Sequence, residues 1–214
     1  MLWADRRRIG WWTQRRAAVP WPWVAVAAVF LFVALTNWAW LRTNVVTLGW
    51  DRIAHLETSL LYFDVLRDLH PRTLFNAWTL EGYYPPLVHL LAVGAYHLFG
   101  RSSDVAAATM VVWLLVLLLA VYSIAERLWG SLVGVLTVVL LALFPMIFAL
   151  SRYLYLDFPL TAAVAASIAA LLHTGRFHRR APSLLFGLSL GLGFLTKWSF
   201  AFFLVAPVAL TLLV

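Results

Sequence analysis

The sequence predicts an all-α protein: a polytopic bundle of transmembrane helices with amphipathic helices in its first outer loop. Hydrophobic residues make up 64% of the 214 positions and charged residues only 12%, whereas a soluble domain carries about 45–50% and 25%. The mean hydropathy is +0.88, and several apolar runs approach the roughly 20 residues that cross a bilayer. These observations exclude a water-soluble enzyme, a disordered tail and a nucleic-acid-binding protein as first interpretations.

The first predicted span covers residues 22–41. It has tryptophans at both ends, which is typical of a helix that passes both membrane interfaces. The arginines that precede it are Arg6, Arg7, Arg8, Arg15 and Arg16. This positive-inside bias predicts a cytoplasmic N-terminus. The run has full spanning length and no small-residue cleavage site follows it, so we expect a retained helix rather than a cleaved signal peptide.

An outer loop is predicted for residues 42–104. Residues 51–68 have apolar positions three and four apart, which predicts an amphipathic helix in the membrane interface. Its apolar stripe comprises Ile53, Leu56, Leu60 and Phe63. A second stripe comprises Asp51, His55, Thr58 and Tyr62. The apolar run 86–99 is short for a span, so we expect a half-inserted interfacial helix there.

Five further spans are predicted, at residues 105–125, 131–151, 158–172, 183–196 and 198–214. If residues 86–99 do not cross, the basic cluster between residues 173 and 180 lies inside, as the positive-inside bias prefers. The outer face then holds Asp51, Glu81, Arg152, Asp157 and Lys197. The last run has no polar flank. We therefore expect residues 1–214 to be the N-terminal part of a longer transmembrane module whose remainder is missing.

Asp51 opens the interfacial helix directly after the first span. It is either the N-cap of that helix or a general base for a hydroxyl or amine nucleophile at the membrane surface. His55 lies four residues on, on the same helix face. It can orient Asp51, join it in binding a divalent metal, or rest satisfied in the interface. Two ligands are a weak metal signal, and the absence of cysteine excludes thiolate sites.

Asp157 and Arg152 lie between two predicted spans. A carboxylate so close to apolar segments is costly in the bilayer. Asp157 therefore either has a functional role at the outer surface or caps the helix that begins near Pro159. Arg152 either contacts substrate or snorkels to the interface.

Lys197 is the only lysine in the chain. It follows a stretch of small residues, Gly187, Ser189, Gly191 and Gly193, which permits close helix packing. The lysine is either an interfacial anchor beside Trp198 or a point charge for a lipid-linked phosphate or diphosphate. Tyr84 precedes two prolines, which mark a boundary between two elements.

The order of these features is more specific than any single one. A basic start and one span are followed by Asp51, an amphipathic helix, Tyr-Pro-Pro-Leu and a short apolar helix. Two spans, the motif Ser-Arg-x4-Asp157, a further span and a basic turn then lead to Gly-x3-Gly-x-Gly-Phe-Leu-Thr-Lys197. This order resembles the N-terminal module of the GT-C superfamily of integral-membrane glycosyltransferases. It is most similar to family 39 and its relatives, the protein O-mannosyltransferases and the lipid A aminoarabinose transferase.

The resemblance implies transfer of a sugar from a polyprenyl-phosphate carrier on the non-cytoplasmic face. Asp51 matches the family's acidic residue after the first span, and Asp157 matches the acidic residue of the next outer loop. Lys197 matches the lysine expected to contact the carrier phosphate. Three positions depart from the family pattern, which leaves the sugar, the acceptor and any metal dependence open. They are Arg52 in place of a second acid, Tyr84 in place of His or an acid, and Trp198 in place of glycine.

These observations together predict a glycosyltransferase with catalytic Asp51 and Asp157. The expected substrate-binding residues are Lys197, Arg152, His55 and Tyr84. The expected partners are a polyprenyl-phosphate-linked sugar donor, a lipid, glycan or protein acceptor, and membrane lipids. No cofactor is certain, and a divalent metal remains open. We expect a bacterial plasma-membrane protein with its active site outside.

Two alternatives remain open. One is a fragment of a transporter or lipid-carrier flippase, and the other is a truncated, non-catalytic relative. A transporter should carry internal repeats and polar groups near the membrane midplane. The charges of this chain instead gather at one face, which favours the enzyme.

Overall fold

The computed structural model describes residues 21–44, 49–67, 72–73, 75, 80 and 83–213. Ten helices have their bounds within these ranges, residues 72–73 and 75 are helical as well, and no strand occurs among the described residues, which confirms the predicted all-α fold. The arginines on which the predicted orientation depends, Arg6, Arg7, Arg8, Arg15 and Arg16, lie outside the described residues. So do Asp68, Glu81 and Val214.

The helices follow one another with short connections. They are α1 (Trp21–Thr43), α2 (Trp50–Leu66), α3 (Leu87–Phe99), α4 (Ser103–Ala108), α5 (Met110–Trp129), α6 (Ser131–Leu143), α7 (Pro145–Leu150), α8 (Asp157–His173), α9 (Arg180–Phe194) and α10 (Phe200–Leu213).

Two stretches among the described residues are long and apolar enough to cross a membrane. One is α1, and the other is Ser103–Trp129, which contains α4 and α5. Helices α3, α6, α8 and α10 are apolar but shorter. Which of these helices cross the bilayer, and in which direction, stays a prediction.

Helix α5 lies at the centre of the bundle. It packs against α8 on one side and α6 on another, with α1 alongside, while α9 and α10 pack on the far side of α8. Deeply buried residues of this core include Val33, Met110, Leu114, Leu117, Leu118, Val138, Phe158 and Ala162. This apolar packing fixes the ends of α1, α5 and α8 relative to one another.

The run predicted as one span over residues 131–151 forms two helices. Helix α6 ends at Leu143, Phe144 is extended, and α7 begins at Pro145. Proline has no N–H to donate and its ring clashes with the carbonyl four residues earlier, so one continuous helix is disfavoured here. The segment Ser151–Leu156 then connects α7 to α8.

Helix α2 packs on α3 through its polar stripe. His55, Ser59, Tyr62 and Leu66 are buried, and the Ser59 and Tyr96 hydroxyls are 2.8 Å apart. The apolar stripe is only partly covered, and Ile53 is 41% exposed. Polar contacts to α3 therefore fix α2 in rotation about its axis.

Candidate active site

Asp157 and Lys197 form an ion pair between the start of α8 and the turn that joins α9 to α10. The Lys197 ammonium donates a hydrogen bond of 2.6 Å to Asp157 Oδ1. The side chain of Lys197 is 26% exposed and that of Asp157 is 43% exposed, so solvent reaches both. The N-cap of α8 is Leu156, so the alternative that Asp157 caps this helix is wrong. Its carboxylate lies in the first turn, at the positive end of the helix dipole.

Gly193 allows the turn that carries Lys197 to form. A Cβ atom at this position would overlap the ring of Phe200, which is fully buried at the start of α10. The turn is closed by Thr196, whose hydroxyl donates to the Gly193 carbonyl at 2.6 Å. At Gly187 and Gly191 an added Cβ would meet nothing within 4 Å in the described structure. The predicted close packing therefore holds for Gly193 and for neither of these two glycines.

Asp51 is held by a tyrosine hydroxyl. Tyr155 donates a hydrogen bond of 2.9 Å from its hydroxyl to Asp51 Oδ2. The N-cap of α2 is Gly49, so the alternative that Asp51 caps the helix is wrong. Asp51 is exposed, which leaves its carboxylate accessible from solvent.

His55 lies behind Asp51 among aromatic rings and is only 4% exposed. Its ring is edge-on to Tyr84 at 5.1 Å and to Tyr155 at 6.2 Å between centroids. Its Nδ1 lies 3.4 Å from Nε2 of His89 on α3. This burial fits a side chain that supports the two tyrosines rather than one that contacts a substrate.

Two long-range hydrogen bonds hold the Tyr-Pro-Pro segment against the α9–α10 turn. The Trp198 indole donates to the Tyr83 carbonyl at 2.7 Å, and the Leu87 amide donates to the Leu195 carbonyl at 3.1 Å. Tyr84 is thereby carried to the neighbourhood of Lys197.

The hydrogen bonds of Asp51 to Tyr155 and of Asp157 to Lys197 place these groups together, and the pKa shifts of two tyrosines reflect the charges around them. Burial raises the pKa of Tyr84, the positive charge of Lys197 lowers it, and Tyr83, Asp51 and Asp157 raise it further. The hydrogen bond to Asp51 raises the pKa of Tyr155, and burial and the charge of Asp157 add to the effect. We call Asp51, Tyr84, Tyr155, Asp157 and Lys197 the site cluster. Sequence reasoning missed Tyr155, whose only signal was its place two residues before Asp157.

Arg152 has different neighbours. Its Nε donates to Asn37 Oδ1 at 2.8 Å, and the side chain lines a cavity of about 220 Å³ together with Arg52. No member of the site cluster lines that cavity. The structure therefore separates Arg152 from the Lys197 side of the site. Asn37 and Arg52 were not among the predicted site residues, although a buried asparagine inside an apolar span is a recognisable signal.

A divalent metal finds no obvious ligand set here. In the part of the chain that the structure describes, no three His, Cys, Asp or Glu side chains are grouped so that they could hold a metal ion. The site cluster supplies instead two carboxylates, one ammonium and two phenols at one end of the bundle.

Comparison with known proteins gives one family. Residues 84–214 match the sequence model of the family described as dolichyl-phosphate-mannose-protein mannosyltransferase. The match includes Tyr84, Arg152, Asp157 and Lys197, and it begins after Asp51 and His55. No curated protein and no solved structure matches the chain.

Proposed function

The chain belongs to the dolichyl-phosphate-mannose-protein mannosyltransferase family, within the GT-C superfamily of integral-membrane glycosyltransferases, and from this premise we propose that it transfers a sugar from a polyprenyl-phosphate carrier. The acceptor is a hydroxyl or amine of a lipid, glycan or protein. The reaction takes place at the non-cytoplasmic face of the membrane.

One observation carries the proposal: three charged groups from distant parts of the sequence converge at one end of the bundle. Asp51 comes from α2, Asp157 from the start of α8 and Lys197 from the α9–α10 turn. Charged side chains are costly next to apolar helices, so the convergence of three of them points to a functional role. A wet catalytic cleft at the membrane surface is such a role.

The proposed reaction is a single displacement at the anomeric carbon. The acceptor oxygen or nitrogen forms the new bond, and the bond between that carbon and the carrier phosphate oxygen breaks. Asp51 takes the acceptor proton as general base. The phosphate keeps the electron pair of the broken bond and leaves with increased negative charge, which Lys197 stabilises.

Asp157 has a positioning role in this scheme. It holds the Lys197 ammonium at 2.6 Å, and one such contact leaves two of the three ammonium donors for phosphate oxygens. Tyr155 holds Asp51 through its hydroxyl. The charges of both carboxylates and of the lysine shift the pKa of Tyr84, and in this scheme its phenol contacts the sugar or the acceptor.

The experiment that tests the proposal compares donors in membranes that contain the full chain. Radiolabelled mannose is supplied on a polyprenyl phosphate, or on a nucleoside diphosphate, and release of the carrier phosphate and label transfer are measured. We expect transfer from the lipid-linked donor alone. Sealed vesicles of both orientations show which face must receive an acceptor that cannot cross the bilayer.

Two results would contradict the proposal. Transfer from the nucleoside diphosphate sugar alone would overturn the donor class. Movement of the carrier lipid between leaflets without cleavage of the sugar–phosphate bond would favour the flippase alternative. Membranes with the Asp64→Asn variant serve as a matched control, because this exposed carboxylate pairs with Arg101 away from the site cluster.

A further inference from the structure

A polar cavity lies near the site cluster, and none of the cluster's residues lines it. It is bounded by the end of α1, the first turns of α2, helix α4 and the segment that follows α7, and its volume is about 220 Å³. The charged side chains that line it are Arg52, Asp104 and Arg152. Two guanidinium groups face one carboxylate, so the lining carries a net positive charge.

Arg152 is held in a fixed orientation. Its Nε donates to Asn37 Oδ1, and its guanidinium lies over the Phe148 ring at 3.9 Å and over the Trp40 ring at 5.5 Å. An arginine has five N–H donors, so four remain after the bond to Asn37. In the described part of the chain no other acceptor takes a hydrogen bond from this side chain. Burial lowers the pKa of Arg152, a cost that a nearby anion would offset.

Asn37 uses its whole amide group to build this arrangement. Its Nδ2 donates to Ser151 Oγ at 2.8 Å and to the Ser151 carbonyl at 3.2 Å, while its Oδ1 accepts from Arg152. The side chain is 7% exposed in an otherwise apolar helix. A polar residue in such a segment is expensive unless it has a role, and here every hydrogen bond fixes residues 151 and 152.

Arg52 completes the opposite wall. Its guanidinium lies over the Tyr153 ring at 3.5 Å from the centroid. Within the described residues neither Arg52 nor Arg152 forms an ion pair with a carboxylate, Asp104 included. Each guanidinium thus lies over an aromatic ring and borders the same small cavity, and apart from the bond of Arg152 to Asn37 its donors are committed to no carboxylate among the described residues.

We propose that this cavity binds a phosphate group, and that Asn37 is the positioning residue that orients Arg152 toward it. Arginine forks match phosphate oxygens in bidentate geometry, and a phosphate has enough oxygens to accept from both arginines. The phosphate comes either from a lipid headgroup or from solution. The inference goes beyond the proposed transfer reaction and is independent of it, because binding needs no turnover.

The test is binding to the full chain purified in an uncharged maltoside detergent. The probes are dioctanoyl phosphatidic acid, dioctanoylglycerol as its match without phosphate, and inorganic phosphate. Affinity and the thermal unfolding midpoint are measured for each. We expect the phosphatidic acid to bind and to raise the midpoint, whereas dioctanoylglycerol does neither. Binding of inorganic phosphate with the same dependence on the arginines would identify phosphate from solution as the source.

Substitutions of the residues that line the cavity test whether the phosphate binds there. Arg152→Gln and Arg52→Gln should each weaken binding by about 10-fold or more, since hydrogen bonds to charged groups contribute about 1.5–3 kcal/mol. Asp104→Asn should strengthen binding, because it removes the opposing charge. Arg101→Gln is the matched control and should change nothing, since Arg101 pairs with Asp64 and does not line the cavity.

The role of Asn37 requires a double variant. Asn37→Ala should weaken binding in the wild-type background and have no further effect in the Arg152→Gln background. A purely structural role would lower affinity equally in both. If Arg152→Gln does not fold, the affinities of Arg52→Gln and Asp104→Asn decide whether the cavity binds phosphate. Unchanged affinity in these two variants, or the absence of binding to either phosphate probe, would overturn the proposal.

Discussion

The two carboxylates of the site cluster are held in different ways. Asp51, at the start of α2, accepts a hydrogen bond from the neutral hydroxyl of Tyr155. Asp157, at the start of α8, accepts from the Lys197 ammonium. Within the described residues no cation pairs with Asp51. The α8 side of the cluster is therefore electrically balanced, and the α2 side retains a negative charge.

This difference favours separate proposed roles for Asp51 and Asp157, which the sequence analysis predicted together as catalytic residues. A base must keep its charge accessible to the acceptor proton, which suits Asp51. A residue already paired with a cation is better suited to holding that cation in place, which suits Asp157. Substitutions of these residues and of their partners test this assignment.

The largest effect is expected from Asp51→Asn. The amide is nearly the same size but cannot take the acceptor proton, so transfer should fall by about 1,000-fold, within the range for general bases. Sugar transfer from the lipid-linked donor measures the loss, and membrane insertion is checked in parallel. Transfer at the wild-type rate would remove Asp51 from the mechanism, even if the fold assignment stands. Asp64→Asn, at an exposed site elsewhere on α2, should remain fully active.

The next effect concerns Lys197 and Asp157 as a pair. Lys197→Ala should lower transfer by about 100-fold, as for loss of one group that stabilises developing charge. Asp157→Asn should cost less, since the lysine remains. If Asp157 acts through Lys197, the double variant should be no slower than Lys197→Ala alone. Losses that multiply in the double variant would instead assign the two residues separate roles.

A smaller effect is expected when the turn that carries Lys197 is displaced. Gly193→Ala places a methyl group against the buried Phe200 ring, and overpacking of this kind costs about 1–3 kcal/mol. The thermal unfolding midpoint should fall and transfer should decrease about tenfold by the same strain on the turn. Gly191→Ala, where the methyl group meets nothing within 4 Å, is the matched control. Equal behaviour of the two variants would contradict the close approach of α9 and α10.

The smallest effect is a titration shift at Tyr155. Its hydrogen bond to Asp51 raises its pKa above the ordinary 10.0, so the phenol should stay protonated in mildly alkaline solution. Asp51→Asn removes the carboxylate acceptor and its charge, and the pKa should fall. The tyrosinate absorbance of each protein, minus that of its Tyr155→Phe partner, isolates this one group. A titration that is the same with Asp51 and with Asn would show that the contact does not form in solution.

Much of the fold could be predicted from the sequence because its signals are local. Apolar runs and tryptophan belts indicated helices, and the charges between runs pointed to Asp51, Asp157 and Lys197. The apolar length of residues 131–151 predicted one span, and the effect of Pro145 on the backbone divides it into two helices. The pairings were not predictable, because Tyr155 with Asp51 joins positions that are 104 residues apart. Nothing local shows which side chain a lysine will meet, and although an asparagine in an apolar span is a signal, the sequence does not show that Asn37 meets Arg152.

The hydrogen bond between Trp198 and Tyr83 limits how early the site cluster can assemble during synthesis. These residues are 115 positions apart, so ribosomes working at about 5–20 residues per second make the second one roughly 6 to 23 s after the first. Until then the α2 side of the site has no Lys197 to face. The site cluster is therefore incomplete in the nascent chain, and it can assemble only after the α9–α10 turn has been made.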